Sequence, residues 1–457
     1  VRLKELRGKD VLVVDMTHGG VILAETLLET CASVAAADIY GTLSRERQES
    51  LEKLGVEVKR FVDDPSPYDF IFSPVHSPVF NPVNTHPDGK ISSHHELVGV
   101  LLEEKKPHGK IVEVTGIKGK TSTVFFLFDI LREAGKKVLM SSSLGVFYGS
   151  DGDKRKLRGR ADITPANVLS VLELAEGLGV EVFIFEISLG FTGAADVSVL
   201  TTLEPDYKIA AGGLSATTAK LFTALRSKNI ILNKRAYRRY EAFLRSSGEI
   251  TTPRTLLYDD TEAWAALLDA AADGFEEVQT EFFSNPHISA GYIENVLAAA
   301  FTSLLLGASL SSVKRGIKRS RGVPGRMRCL RWGNVVFLED ANPALDAASL
   351  ENAMRQALNI KEKEGKARAV VVLGGDGRGS CSQLRYEEML DAVGRFEGFE
   401  VFLVGKVGRK LKELGAAGAL LTEKEISEMM QKLNEDAVVL FALKDSRTVF
   451  GDGEVGV

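Results

Sequence analysis

Cysteine is scarce. The three present, Cys31, Cys329 and Cys381, lie far apart in the 457 residues. They supply neither a disulfide framework nor a C-x-x-C metal motif, so a cytoplasmic protein is expected. Long apolar runs are also missing. The longest, residues 296–310, is interrupted by Thr302, Ser303, Gly307 and Ser309 and followed by Lys314 and Arg315. A membrane-spanning helix needs ~20 mostly apolar residues, so this run reads as a buried amphipathic helix. The opening Arg-Leu-Lys-Glu-Leu-Arg has no apolar core, and no signal peptide is expected there. No basic block stands out, and the net charge is −5, which argues against a nucleic-acid footprint. Histidine is absent between His108 and His287, a gap that bears on the metal chemistry considered below.

What is present is ordinary soluble composition, 44% hydrophobic and 26% charged. The length suggests about three domains of ~150 residues. Residues 10–15 read as a buried strand, 21–30 as a helix, and 33–37 and 70–72 as further strands. This βαβ pattern implies a parallel sheet. A loop rich in Pro, Asn and His follows over residues 73–90, and loops of that length are usually functional or mobile. A second α/β unit starts at Lys110, with strands at 111–114, 182–185, 198–203 and 230–232 and helices at 121–133 and 294–307. A third starts at Val323-Pro324-Gly325-Arg326, with strands at 335–338, 369–373, 400–404 and 437–441.

The strongest chemical signal is Thr115-Gly116-Ile117-Lys118-Gly119-Lys120-Thr121-Ser122, set between a β-branched strand and a helix. Backbone N–H groups of such a turn point at phosphate oxygens, and the helix dipole favours the anion. Lys120 would neutralise the outer phosphates and the Thr121 hydroxyl would coordinate Mg²⁺. The alternative is a Gly-Lys turn without a ligand. A Walker A loop would require glycine at position 114, where Val114 stands; here two residues separate the glycines.

That shorter loop, G-x-x-G-K-T-S, resembles the ATP loop of the Mur ligases and folylpolyglutamate synthetases. Further segments resemble Mur-family motifs in the same order. Phe185-Glu186-Ile187-Ser188 is similar to the family's Glu-x-Ser-Ser, whose Glu holds Mg²⁺, although Leu189 replaces the second Ser; a strand-end cap is the alternative for Glu186. Asp162-Ile163-Thr164-Pro165 lies where the family has Thr-Thr-Pro. Gly291 to Ala299 resembles its His-Asn-x-x-Asn-x-x-Ala-Ala helix, which makes Asn295 an adenine contact. Arg326 matches the Arg that reaches the phosphates, and Asp340-Ala341-Asn342-Pro343 a shortened ribose-binding loop. Gly374-Gly375-Asp376-Gly377-Arg378 follows a strand as a similar glycine-rich segment does.

The resemblance implies a three-domain α/β Mur ligase architecture. A Rossmann-like N-terminal domain (1–108) would bind substrate, a P-loop ATPase-like central domain (109–321) ATP and Mg²⁺, and a Rossmann-like C-terminal domain (322–457) would complete it. The implied activity is ADP-forming ligation through an acyl phosphate. The implied ATP and Mg²⁺ ligands are Gly116, Lys118, Gly119, Lys120, Thr121, Ser122, Glu186, Asn295, Arg326 and Asp340. Lys120, Glu186 and Lys220 are the implied catalytic residues, with domain closure bringing Arg326 and Asp340 onto the nucleotide. Lys220 corresponds to the family's carbamylated lysine, with Lys228 the fallback; both could be solvated helix lysines.

Two departures narrow the choice. Tyr207 stands where the family has a Mg²⁺-binding His, and Asp15-Met16-Thr17-His18-Gly19-Gly20 is not its uridine-nucleotide turn. Together they resemble the archaeal coenzyme F(430) synthetase branch. There a propionate of a nickel tetrapyrrole (seco-F(430)) is activated and a ring carbon closes a carbocycle. His18, Thr164 and Tyr207 would then face the tetrapyrrole. Six of the seven histidines precede the ATP loop, and for most of them a surface-loop position is the plainer expectation. The alternatives are an amide-forming ligase acting on a muramyl or pseudomurein peptide, folylpolyglutamate-type ligation, and a non-catalytic ATP-binding switch. Small molecules are the expected partners, with no nucleic acid and no membrane, and a monomer is the default.

Overall fold

The computed structural model describes residues 1–83, 90–150, 153–209, 213–245, 254–268, 273–377, 384–432 and 436–444. Among them the strands form three sheets. In the first, five parallel strands run in the order Val56–Lys59, Ser33–Ala37, Asp10–Val14, Phe70–Ser73, Ile91–Ser93. The central strand is apolar on both faces because both are covered. Val11 and Val13 enter one core with Leu23, Ala24 and Leu97, while Leu12 and Val14 enter the other with Tyr68 and Ile71. The helix His94–Lys105 follows the last strand without a break. The Ser93 hydroxyl caps it by accepting from Glu96 N at 3.0 Å, and it ends where Lys106 turns left-handed.

The second sheet has eight strands, ordered Arg254–Leu257, Asn229–Leu232, Val197–Leu200, Lys110–Thr115, Val182–Glu186, Val138–Ser142, Gly145–Ser150, Asp153–Arg158. The first six are parallel, and the last two add an antiparallel hairpin edge. Its central helix, Lys120–Glu133, carries buried Val124, Phe125, Phe126, Leu127, Phe128, Ile130 and Leu131. A helix apolar on so much of its circumference belongs inside, and it packs on the equally apolar Ile293–Leu305. The run that opened the question of a membrane span is therefore a core helix. Among the described residues no helix is long and apolar enough to cross a membrane.

The third sheet is ordered Arg328–Trp332, Val335–Ala341, Ala437–Leu443, Arg368–Gly374, Phe399–Val404, Ala419–Leu421, parallel apart from its first hairpin. The chain divides into two compact units. One comprises Val1–Glu281 and Ile293–Lys318 and holds the first two sheets; the other comprises Phe282–Tyr292 and the chain from Arg319 onward. Residues 282–292 thus belong to the C-terminal unit although they precede the helix Ile293–Leu305. We retain 1–108, 109–321 and 322–457 as the proposed domain limits, one sheet to each.

Candidate active site

The strand Lys110–Thr115 delivers the chain into the glycine turn, and Gly119 caps the helix Lys120–Glu133. Gly116 (φ 149°) and Gly119 (φ 89°) lie in the left-handed half of the backbone map. A Cβ on Gly116 would fall 2.0 Å from Thr201 Oγ1, and one on Gly119 2.2 Å from Asn295 Nδ2, so both positions exclude side chains. The turn is held from the next strand: Ile117 N donates to Thr202 O (2.7 Å), and Thr201 Oγ1 donates to Lys118 O (2.6 Å). Lys120 Nζ donates to Gly116 O at 3.0 Å, within the loop it would serve.

Thr121 and Glu186 meet although 65 residues separate them. Their strands and helix adjoin in the sheet, and Thr121 Oγ1 donates to Glu186 Oε1 at 2.9 Å. Ser143 N holds the other carboxylate oxygen at 3.0 Å, and Glu186 is buried. A hydroxyl and a carboxylate so placed, beside a helix N-terminus, fit a divalent ion bound to a nucleotide triphosphate. Ser122 is buried behind the loop. Asn295 Nδ2 donates to Gly119 O (3.3 Å) and Thr123 Oγ1 (3.1 Å), so its amide braces the glycine turn.

Lys220 is almost fully buried on the helix Ala216–Ala224, its ammonium 3.3 Å from Ala216 O. Burial, with the charge of Lys120, pushes its pKa down to about 7, against the pull of Asp206. Lys228 is exposed. Tyr207 is 38% exposed beside Asp206, whose Oδ1 accepts from Tyr207 N (2.9 Å) and Thr217 N (3.0 Å).

The histidines gather at the carboxyl edge of the first sheet. Its strand order places the ends of Asp10–Val14, Phe70–Ser73 and Ile91–Ser93 side by side, and Asp15, His76 and His94 follow those ends directly or within three residues. In such sheets this edge is where ligands bind. Asp15 is fully buried with φ 73°; its Oδ1 accepts from Thr17 N (2.8 Å) and His18 N (3.3 Å), and its Oδ2 meets His18 Nδ1 at 2.6 Å. Burial raises the Asp15 carboxyl, but the bond and charge of His18 outweigh it and hold the pKa below the ordinary value; that same bond raises His18. Burial depresses His76 to about 4, His94 to about 3 and His95 to about 4. The expectation of surface loops therefore fails for His76, His94 and His95. It holds for His108, while His86 lies outside the described residues.

Within the first unit this edge abuts the segment after the basic hairpin. A Cβ on Gly19 would lie 3.0 Å from Thr164 Oγ1, and Ser188 N donates to Ile163 O at 2.7 Å. His95 Nε2 lies 2.9 Å from Ser188 O, tying the first sheet's last helix to the segment after Glu186.

In the other unit, Arg326 Nη1 donates to Gly325 O (3.0 Å) and Ala341 O (3.2 Å), and Asp340 accepts from Asn342 Nδ2 (2.6 Å). Buried Glu339 fixes the turn by accepting from Gly325 N (3.1 Å) and pairing with Arg328 (2.7 Å). Gly374, Gly375 and Gly377 all have positive φ after their strand; Arg378 and Cys381 lie outside the described residues. Sequence reasoning missed Ser143, which holds Glu186, and Thr201, which holds the glycine turn. Only Ser143, in a Ser-Ser-Ser turn after an apolar strand, carried a local signal.

Comparison with known proteins places these features in a family. The model described as coenzyme F430 synthetase CfbE, C-terminal domain, matches residues 330–445. The coenzyme F(430) synthetase of Methanosarcina acetivorans is 31% identical over 94% of this chain and 96% of its own. Among solved structures, a bifunctional folylpolyglutamate synthase/dihydrofolate synthase from Yersinia pestis aligns at TM-score 0.52 and 16% identity, covering 76% of this chain and 90% of that one. The UDP-N-acetylmuramoylalanyl-D-glutamyl-2,6-diaminopimelate–D-alanyl-D-alanyl ligase of Acinetobacter baumannii aligns at TM-score 0.51 and 14% identity, covering 80% of each.

Proposed function

The chain belongs to the coenzyme F(430) synthetase family, ligases of Mur-type fold, and from that premise we propose that it closes a carbocycle on a nickel tetrapyrrole, seco-F(430), at the expense of ATP. The observation that carries this reading is the joining, in one compact unit, of a phosphate loop and a histidine-lined sheet edge through the 162–166 and 186–192 segments. ATP supplies the phosphoryl group that turns a propionate carboxylate into an acyl phosphate. The ring carbon then bonds to the carbonyl carbon, phosphate leaves with one carboxylate oxygen, and the carbon gives up its proton. The organic substrate loses one water in total.

The residues divide this work by their chemistry. Gly116, Lys118, Gly119 and Ser122 belong to the loop and helix start whose N–H groups would hold the phosphates, and Lys120 opposes the charge that grows on them in transfer. Thr121 and Glu186 would hold Mg²⁺. Lys220, with a pKa near 7, carries a substantial neutral amine fraction, as reaction with carbon dioxide to a carbamate requires. His18, Thr164 and Tyr207 are the proposed tetrapyrrole contacts. Asn295, Arg326 and Asp340 are the proposed nucleotide contacts, Asn295 acting on the loop.

The test is turnover with ATP, Mg²⁺ and the open-ring nickel tetrapyrrole acid, following ADP and product mass. One ADP per water lost, with no amine added, is the expected result. ADP formed only with a UDP-linked peptide and an amino acid would replace ring closure by amide ligation. No substrate-dependent ADP with either would leave a nucleotide-binding switch.

A further inference from the structure

We propose that Asp15, His18 and His76 form a binding site for one divalent transition-metal ion, separate from the Thr121–Glu186 pair. One donor atom from each of the three lies within 4.8 Å of the others. Asp15 Oδ2 is 2.6 Å from His18 Nδ1 and 4.0 Å from His76 Nε2. In a tetrahedral set with bonds of ~2.0–2.1 Å the donors sit ~3.4 Å apart, so the 4.0 Å Asp15–His76 gap must close by about 0.6 Å. The Asp15–His18 pair must open by under ~1 Å toward the ~3.4 Å edge of a tetrahedron built on those bond lengths. His18 can give that movement, since 44% of its side chain is exposed.

The surroundings are those of a prepared ligand set. Thr17 N and His18 N engage only Oδ1 of Asp15, which fixes the carboxylate and turns Oδ2 toward the imidazoles. The His18 and His76 rings meet edge to face with centroids 4.9 Å apart. His76 is buried, and its Nε2 faces Asp15 Oδ2 at 4.0 Å, too long for a hydrogen bond. A metal ion bound at Nε2 fills that gap.

Two imidazoles and one carboxylate select zinc, nickel, cobalt or iron over magnesium, which prefers oxygen donors. The set leaves further positions open, which water or a carboxylate can take. A metal already held by four in-plane tetrapyrrole nitrogens offers one position per face, so it can use one of these donors and not three. The site therefore takes a free ion. It also lies at the carboxyl ends of Asp10–Val14 and Phe70–Ser73, from which the sheet's strand order diverges in opposite directions.

The test uses the untagged, metal-free full chain, without nucleotide or tetrapyrrole, so its outcome is independent of the ligase reading. Co²⁺ is titrated in while its d–d absorption and bound stoichiometry are followed. One equivalent is expected, displaced by Zn²⁺, with affinity falling at least about tenfold in each of His18→Ala and His76→Gln and unchanged in Glu186→Gln. Circular dichroism checks that the variants are folded. Should His76→Gln misfold, His18→Ala, at a half-exposed position, decides alone. Absence of stoichiometric Co²⁺ in the parent chain, or binding that survives the histidine substitutions at full affinity, overturns the site.

Discussion

Replacing Glu113 by Gln should flatten the stability of the first unit between pH 5 and pH 8. Glu113 stands fully buried on the strand that leads into the phosphate loop. Its carboxylate accepts from Thr192 N (2.8 Å) and from the Thr192 hydroxyl, and no basic side chain figures among the influences on it. Burial raises its pKa from 4.5 to about 7 despite those two bonds. A raised acid binds its proton more tightly when folded, so stability falls as pH rises through that window. At about 1.4 kcal/mol per pH unit, the interval amounts to about 3 kcal/mol. Gln matches the protonated acid: its oxygen accepts from Thr192 N and its amide donates to the hydroxyl. Urea unfolding followed by Trp264 fluorescence reads the first unit, because Trp264 is buried there; Trp332→Phe removes the only other tryptophan. The two proteins should match near pH 5, and the Gln variant should be the more stable by about 3 kcal/mol at pH 8. Curves that stay parallel, or a variant less stable at pH 8, would refute the argument.

Lys220 titrates in the opposite sense. Its pKa is lowered from 10.5 to about 7, so stability rises with pH across that window, and Lys220→Met should stabilise the chain at pH 7 by a few kcal/mol while reducing turnover. Urea midpoints at pH 7 and pH 10 check this, with the gain shrinking at the higher pH. Lys120→Ala should lower ADP formation by about 10²–10³-fold, with thermal unfolding nearly unchanged. Gly119→Ala forces a side chain into φ 89° and against Asn295; a loss of about 1–2 kcal/mol and weaker nucleotide binding are expected, and calorimetry reads both. Glu186→Gln removes the charge opposite Thr121 and should raise the Mg²⁺ concentration needed for half-maximal turnover; an unshifted Mg²⁺ dependence would remove Glu186 from the metal site.

The glycine turn and its setting were readable because their parts are contiguous: β-branched strand, glycine turn, hydroxyl residue and apolar helix follow one another within some twenty residues. The strands of the parallel sheets were readable for a related reason. Coverage on both faces leaves unbroken apolar runs such as 182–185 and 369–373. The Gly145–Ser150 and Asp153–Arg158 hairpin escaped because its edge strand is charged, and the three-residue Ile91–Ser93 because it is too short to show a period.

The histidines mark the limit. His18, His76 and His94 each follow a strand and read singly as loop residues. Strand order brings them together, and that order is set by crossover connections spanning tens of residues. The same holds for Glu186, Thr121 and Ser143, and for the buried charges of Glu113 and Lys220. Sequence determined the local conformation of the glycine turn and its helix start, because backbone conformation there depends on neighbouring residues. Tertiary structure decided which distant side chains share a site and which lose their water, because burial and adjacency belong to the packed sheets and not to any one segment.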